Sequence, residues 1–141
     1  MTTMAKINPK IFKANDIRGK YPGEINEKIV LEIIRCLVLY FDSKFQIPNS
    51  KFKIVVAHDA RLSSPSLYQA VIKNLKFKNL KIIPVGLATT PMFYFLVKKL
   101  KAGAGIMITA SHNPKNYNGL KIVDKNVLPI SGFAIQKLFN L

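Results

Sequence analysis

The feature that most constrains this chain is an alternation of element types along its middle. Three short apolar runs, Ile54–Ala57, Leu80–Val85 and Ile106–Thr109, are rich in isoleucine and valine and too short for helices. Each reads as a buried strand. Two stretches with helical apolar spacing separate them. Leu67, Tyr68, Val71, Ile72 and Leu75 form one face, and Met92, Phe93, Phe95, Leu96 and Leu100 form the other. Each of these helices opens on a hydroxyl residue followed by proline, at Ser64–Pro65 and Thr90–Pro91. That pair suits a capping side chain and a first helical residue that needs no N–H partner. Strand, helix, strand, helix, strand, with crossovers of this length, predicts parallel pairing. The expected class is α/β: three layers, a mixed and mostly parallel sheet, helices on both faces.

The flanks are less regular. Residues 1–15 are polar and irregular, expected to pack loosely or to lead into a first extended segment. After Pro22 and Gly23 a longer helix is predicted, with Ile25, Ile29, Val30, Ile33, Ile34, Leu37, Val38 and Phe41 on one wide apolar face. Glu24 and Glu27 fall in its first turn, where they suit the helix dipole. Phe45–Ser50 reads as a loop. Leu120–Val123 is a further strand-like run, and past Pro129 the spacing of Ile130, Phe133, Ile135, Leu138 and Phe139 predicts a helix. With 141 residues and no internal repeat, residues 1–141 suit a single domain.

Charge narrows the function classes. Lys and Arg number 22 against 7 Asp and Glu, a net charge of +15. Such an excess points to an anionic partner: nucleic acid, phosphorylated metabolite or acidic surface. Only Arg18, Arg35 and Arg61 are arginines, and the lysines are dispersed. Base readout and bidentate phosphate clamps favour arginine. A basic nucleic-acid-binding module therefore stands as the contrasting alternative, and no specific nucleic-acid partner is expected. Cys36 is the only cysteine, which excludes an intrachain disulfide and a cysteine-built zinc knot. The N-terminal stretch lacks the apolar run of a signal peptide, and no apolar stretch is long enough to span a bilayer. A cytoplasmic protein without a membrane partner is the expectation.

In open α/β sheets the chemistry sits beyond the carboxyl ends of the strands. Those ends are His58–Pro65, Gly86–Pro91 and Ala110–Gly119. The densest cluster is Thr109-Ala110-Ser111-His112-Asn113-Pro114, continuing to Asn118-Gly119-Leu120-Lys121. Ser111 follows a buried strand and precedes an imidazole and an amide. A phosphoryl group on it would need cationic and amide donors, which His112, Asn113, Lys121 and nearby backbone N–H groups could supply. The same residue types are also ordinary turn formers. No G-x-S-x-G elbow and no Walker A loop occurs. In Asp16-Ile17-Arg18-Gly19, Arg18 either reaches a phosphate or pairs with Asp16 in a turn. In His58-Asp59-Ala60-Arg61-Leu62-Ser63-Ser64-Pro65, Asp59 either orders its loop or pairs with Arg61, and Ser63 and Ser64 are candidate helix caps. His58 and His112, with no carboxylate at ligand spacing, make a weak case for a metal.

Four motifs, in order and covering nearly the whole chain, resemble the first domain of the α-D-phosphohexomutase superfamily, the phosphomannomutase/phosphoglucomutase group. Phe12-Lys13-Ala14-Asn15-Asp16-Ile17-Arg18-Gly19 resembles that group's opening F-x-x-Y-D-I-R-G, with Asn15 where tyrosine is common. Asp59-Ala60-Arg61-Leu62-Ser63-Ser64 resembles its D-x-R-x-S-S segment, preceded by Ala57 and His58 where glycine and arginine are common. Thr109-Ala110-Ser111-His112-Asn113-Pro114 is similar to the phosphoserine signature T-A/G-S-H-N-P, and Tyr117-Asn118-Gly119-Leu120-Lys121 to the Y-N-G-x-K that follows it.

The resemblance implies roles. Ser111 would carry the phosphoryl group and donate it to a phosphohexose substrate, giving a bound hexose bisphosphate. That intermediate turns end for end and returns its other phosphate, so the group shifts between the 1- and 6-positions. Arg18 and Lys121 would flank the transfer site, with His112 shaping the loop. Asn113, Asp59, Arg61, Tyr117 and Asn118 would position substrate and loop. Mg2+ would meet the phosphate on Ser111, its other ligands coming from an acidic loop of a second domain. The family has four domains around a cleft. The chain is therefore expected to be one domain, a fragment or truncated form, partnered by domains II–IV of the same chain and inactive alone. A structural or regulatory homologue without activity is the further alternative, prompted by Asn15, Ala57 and His58.

Overall fold

The computed structural model describes residues 5–45, 52–76 and 80–139. The expected loop at Phe45–Ser50 lies outside them, apart from Phe45 itself, which ends a helix. The order of elements is β1 (Ile17–Lys20), α1 (Glu27–Phe45), β2 (Lys53–His58), α2 (Ser64–Leu75), β3 (Lys81–Leu87), α3 (Thr90–Lys99), β4 (Ala104–Ile108), β5 (Tyr117–Asp124) and α4 (Gly132–Leu138).

Five strands form one sheet in the order β1-β5-β4-β2-β3. β2 pairs in parallel with β3 and β4, while β5 runs antiparallel to β4 and to β1. The three layers follow from the two-residue period of the strands. Ile54, Val56, Ala104, Ile106, Ile108, Leu120 and Ile122 face a core shared with α1, α2 and α4. Val55, Ala57, Met107 and Val123 face a smaller core under α3, built on Phe93 and Val97. Gly105 lets that helix lie close: a Cβ there would sit 2.6 Å from Val97 Cγ2 and 2.7 Å from Phe93 Cζ. The crossover through α2 carries the chain from β2 to β3 on one side, and the crossover through α3 returns it past β2 to β4. The winding thus runs out from β2 to β3 and comes back to the other side of β2 at β4, which opens a crevice at the carboxyl ends of β2 and β4.

Several expectations are corrected. Of the two alternatives for residues 1–15, the second holds: as far as they are described they lead into an extended segment, β1, and do not pack loosely. Ile7, Ile11 and Phe12 are buried, and Pro9–Ile11 makes a short 3-10 turn capped by the Asn8 side chain. Glu24 precedes α1 rather than lying in its first turn, and its carboxylate accepts the Lys20 N–H at 2.8 Å. Asn26 caps that helix, accepting the Ile29 N–H at 3.0 Å. The two hydroxyl-proline signals mark the right helices but the wrong capping residue. Thr89, not Thr90, accepts the Met92 N–H, at 3.3 Å. Ser63 stands at the start of α2 without a side-chain cap, and Ser64 is the first helical residue. β3 is an edge strand and half-exposed rather than buried. On α3 the buried face is Phe93 and Val97, whereas Met92 and Phe95 are exposed. On α4, Ile135 is buried, while Phe133 and Leu138 remain exposed.

Candidate phosphoryl-transfer site

The strand ends carry the chemistry because the sheet sends three loops to one edge. The loop after β4 begins with Thr109, whose Oγ1 accepts the Ser111 N–H at 3.0 Å. Asn113 folds it back: its backbone and side-chain N–H groups donate to the Ala110 carbonyl at 3.1 and 2.8 Å. Between them Ser111 adopts φ 55, a left-handed backbone that a non-glycine residue holds only when its surroundings impose it. Ser111 and His112 are exposed on the turn.

The loop after β2 grips this turn from behind. Arg61, its side chain 13% exposed, donates from one terminal nitrogen to the carbonyls of Pro114 (2.6 Å) and Tyr117 (3.1 Å). From the other it donates to the carbonyls of Ser111 (3.0 Å) and Asn113 (2.7 Å). Its Nε lies 3.3 Å from Asp59 Oδ2. Asp59 also accepts the Arg61 N–H at 3.1 Å and the Ser64 hydroxyl. Both readings of Asp59 hold together: it orders its loop by pairing with Arg61. The fully buried Asn118 amide completes the network, donating to Ser63 Oγ at 2.7 Å and Ser64 Oγ at 3.0 Å.

Strand register places the cations. Lys121 lies opposite Met107 on the face that α3 covers, and its Nζ stands 5.9 Å from the Tyr94 ring centre. Ser111, His112, Lys121, Asp59, Thr89 and Thr90 line one groove of about 760 Å³. Arg18 pairs in register with Gly119 on β5 and bonds Asp16 Oδ1 through Nε at 2.9 Å. It lines a different groove of about 300 Å³ with Lys10, Lys13, Asn113 and Tyr117. The structure therefore unites Ser111, His112, Lys121 and Asp59 in one groove, and places Arg18, Asn113 and Tyr117 in another that shares no lining residue with it. His58 does not join them. Its Nδ1 lies 2.7 Å from the Asp59 carbonyl oxygen and its ring packs edge-on to Tyr68 at 4.9 Å. Sequence reasoning missed Lys10 and Lys13, whose signal was their place beside the Asp16–Arg18 turn. It named Thr109 as the opening of the serine motif but gave it no role.

No group of three or more histidine, cysteine, aspartate or glutamate residues is placed to hold a metal among the described residues. Asp59 is committed to Arg61 and Ser64, and Asp16 to Arg18. Magnesium takes a near-octahedral set of oxygen ligands, and these residues do not make one. No helix of the described residues is long and apolar enough to cross a membrane.

The family model for phosphoglucomutase/phosphomannomutase, alpha/beta/alpha domain I, matches residues 9–141. A protein named phosphohexose mutases from Xanthomonas campestris pv. campestris (strain B100) is 42% identical over 129 residues. The match covers 89% of this chain and 27% of that protein, so the chain spans about a quarter of its length. A phosphomannomutase from Klebsiella pneumoniae is 43% identical over 121 residues, covering 86% of this chain and 72% of the relative. Among solved structures, a phosphoglucomutase/phosphomannomutase family protein from Burkholderia thailandensis superimposes with a TM-score of 0.78 at 32% identity, over 96% of this chain and 30% of the other.

Proposed function

The chain belongs to the phosphoglucomutase/phosphomannomutase family, as its domain I, and on that premise we propose that Ser111 carries the phosphoryl group exchanged between the 1- and 6-positions of a hexose phosphate. The observation that carries this reading is the placement of Ser111. It stands exposed on a left-handed turn at the carboxyl end of the central strand β4, in one groove with His112 and Lys121.

The chemistry balances without covalent help from other side chains. A hydroxyl of the hexose monophosphate attacks the phosphorus of phosphorylated Ser111, the Ser111 Oγ–P bond breaks, the hydroxyl proton ends on Ser111 Oγ, and a hexose bisphosphate forms. After the sugar has turned, Ser111 Oγ attacks its other phosphate, and the monophosphate isomer leaves. Such transfer needs in-line positioning and offset of charge above all. Lys121 supplies positive charge in the groove, and Arg18 is the second cation this reading assigns to the transfer. His112 and Asn113 shape the turn, and Tyr117 and Asn118 fix the strand that returns from it. A required magnesium ion would find its carboxylate ligands in another part of a longer mutase, where it would offset phosphate charge.

The same reading makes the chain one domain of that longer mutase, with other domains closing on the sugar and its distal phosphate. Alone, it is expected to fold but not to turn over. The test incubates the longer mutase with hexose bisphosphate and maps phosphate by mass spectrometry. Phosphate on Ser111, absent from Ser111→Ala, is expected; phosphate reproducibly elsewhere with Ser111 bare would sink the assignment. Phosphorus NMR of the 141-residue chain with hexose monophosphate, bisphosphate and magnesium is expected to show no sustained isomerisation.

A further inference from the structure

Arg61 has no part in the groove lined by Ser111, His112 and Lys121. It lines another groove, of about 590 Å³, with Asn113 and Lys115, which meets the first at Asp59, Ala60 and Ser111. A guanidinium has five N–H donors in a fixed fork. Here the four terminal N–H groups are used, two on Pro114 and Tyr117 and two on Ser111 and Asn113, and Nε faces Asp59 Oδ2 at 3.3 Å as an ion pair. None remains for a phosphate. Four of the five acceptors are backbone carbonyls of a single short segment, so the side chain acts on the orientation of peptide planes.

That orientation has a consequence on the opposite side. A trans peptide sets its N–H antiparallel to its C=O. The Ser111 carbonyl is drawn onto Arg61 at 3.0 Å. The N–H of the same peptide belongs to His112, so it is turned away from Arg61, and His112 lines the cationic groove but not the one Arg61 lines. The Ser111 N–H is already held by Thr109 Oγ1, and the Asn113 N–H by the Ala110 carbonyl. The His112 N–H is the donor this clamp presents to the groove.

We infer that Arg61 is a positioning residue for phosphorylated Ser111. By gathering four carbonyls behind the turn, it holds Ser111 in the left-handed backbone and aims the His112 peptide N–H at an oxygen of the seryl phosphate. The inference rests on the reading of Ser111 as the phosphoryl carrier. Asp59, Ser64 and Asn118 hold Arg61 and its loop in place through the hydrogen bonds given above. Lysine cannot replace the residue: it keeps the charge but has three donors on a flexible stem and no fork.

The test uses the 141-residue chain with phosphoserine encoded at position 111, labelled with nitrogen-15. In the otherwise unsubstituted chain, the His112 amide proton is expected to move downfield and to exchange slowly with solvent. Both changes should follow the second ionisation of the phosphate, near pH 6 for a free phosphoserine, at about 6. Phosphorus NMR should place that ionisation below the value of the same chain unfolded in urea. Arg61→Lys, folded by circular dichroism, is expected to lose the His112 response and to shift the phosphate ionisation back up toward the unfolded value, although its charge is unchanged. A His112 amide indifferent to the phosphate titration would overturn the inference without any variant, which keeps the test decisive even if Arg61→Lys fails to fold. So would an Arg61→Lys chain that titrates like the unsubstituted one. Transfer from hexose bisphosphate is read separately. A normal His112 response without transfer to Ser111 would leave the geometry standing and remove the functional reading instead.

Discussion

Replacing Asn118 tests whether the buried polar network holds the site together. Asn118 is fully buried and makes three hydrogen bonds: to Ser63 Oγ (2.7 Å), to Ser64 Oγ (3.0 Å) and, through Oδ1, from the Gly119 N–H (2.9 Å). Asn118→Ala removes all three. At about 1 kcal/mol net for each, the loss is about 3 kcal/mol. A chain of this length unfolds with an entropy of roughly 0.3 kcal/mol/K, so the melting temperature should fall by about 10 °C. Asn118→Asp keeps the shape but exchanges the two-donor amide for acceptors, beside Ser64, whose hydroxyl already donates to Asp59. Burial disfavours the ionised form of the new carboxyl, so its folded-state pKa lies above the unfolded value of about 3.9. Stability of that variant is therefore greatest below that value and is lost as pH rises through the folded one. Melts followed by circular dichroism at about pH 4 and about pH 7 give the answer. An Asn118→Ala chain melting within about 2 °C of the unsubstituted protein would refute the reasoning, since that is less than one hydrogen bond. So would an Asn118→Asp chain no weaker at the higher pH.

Three further substitutions probe the elements that carry the site. Gly119→Ala should cost about 1–3 kcal/mol, because a Cβ there runs into the Ile17 carbonyl between β1 and β5. Amide exchange in Ile17–Lys20 should speed up more than exchange in Ile54–Ala57, and equal acceleration of the two would show that the damage is not local. Thr89→Ala removes the side-chain acceptor of the Met92 N–H and should lower stability by about 1 kcal/mol, checked by urea denaturation. Glu27 governs an acid limb. Burial pushes its carboxyl up, but hydrogen bonds donated by the Tyr21 and Ser66 hydroxyls outweigh that and hold it below the usual 4.5. Its contribution is thus present above that pH and lost as pH falls through the lowered folded value. The hydrogen bond to Glu27, and then burial, raise Tyr21 above 10.0, so the pair's contribution is also lost as pH rises past that value. Glu27→Gln should flatten the acid limb of a stability-against-pH curve, and an unchanged limb would assign it to other carboxylates.

Much of the scaffold was legible in local pattern. β2 and β4 are apolar runs whose alternating residues feed two cores, and α1 and α2 carry wide apolar faces, so short-range periodicity sufficed. The serine motif was legible as well, because Ser111, His112 and Asn113 are chemically distinctive neighbours. β1 was not: Ile-Arg-Gly-Lys is four residues long, with one side chain in the core, and becomes a strand only by pairing with β5 about a hundred residues later. The exposure of β3 was hidden too, since an apolar run does not say whether its strand is central or at an edge.

The amino-acid sequence by itself determined the α/β class, the three loops at the strand ends and the presence of the serine motif in the last of them. Tertiary structure alone decided which residues share a groove and what Arg61 does. Its carbonyl partners lie 50 to 56 residues away and are main-chain atoms, which leave no mark on residue type. The left-handed Ser111 is likewise a product of position: nothing in a serine side chain calls for positive φ, and only the hydrogen bonds converging behind the turn hold it there.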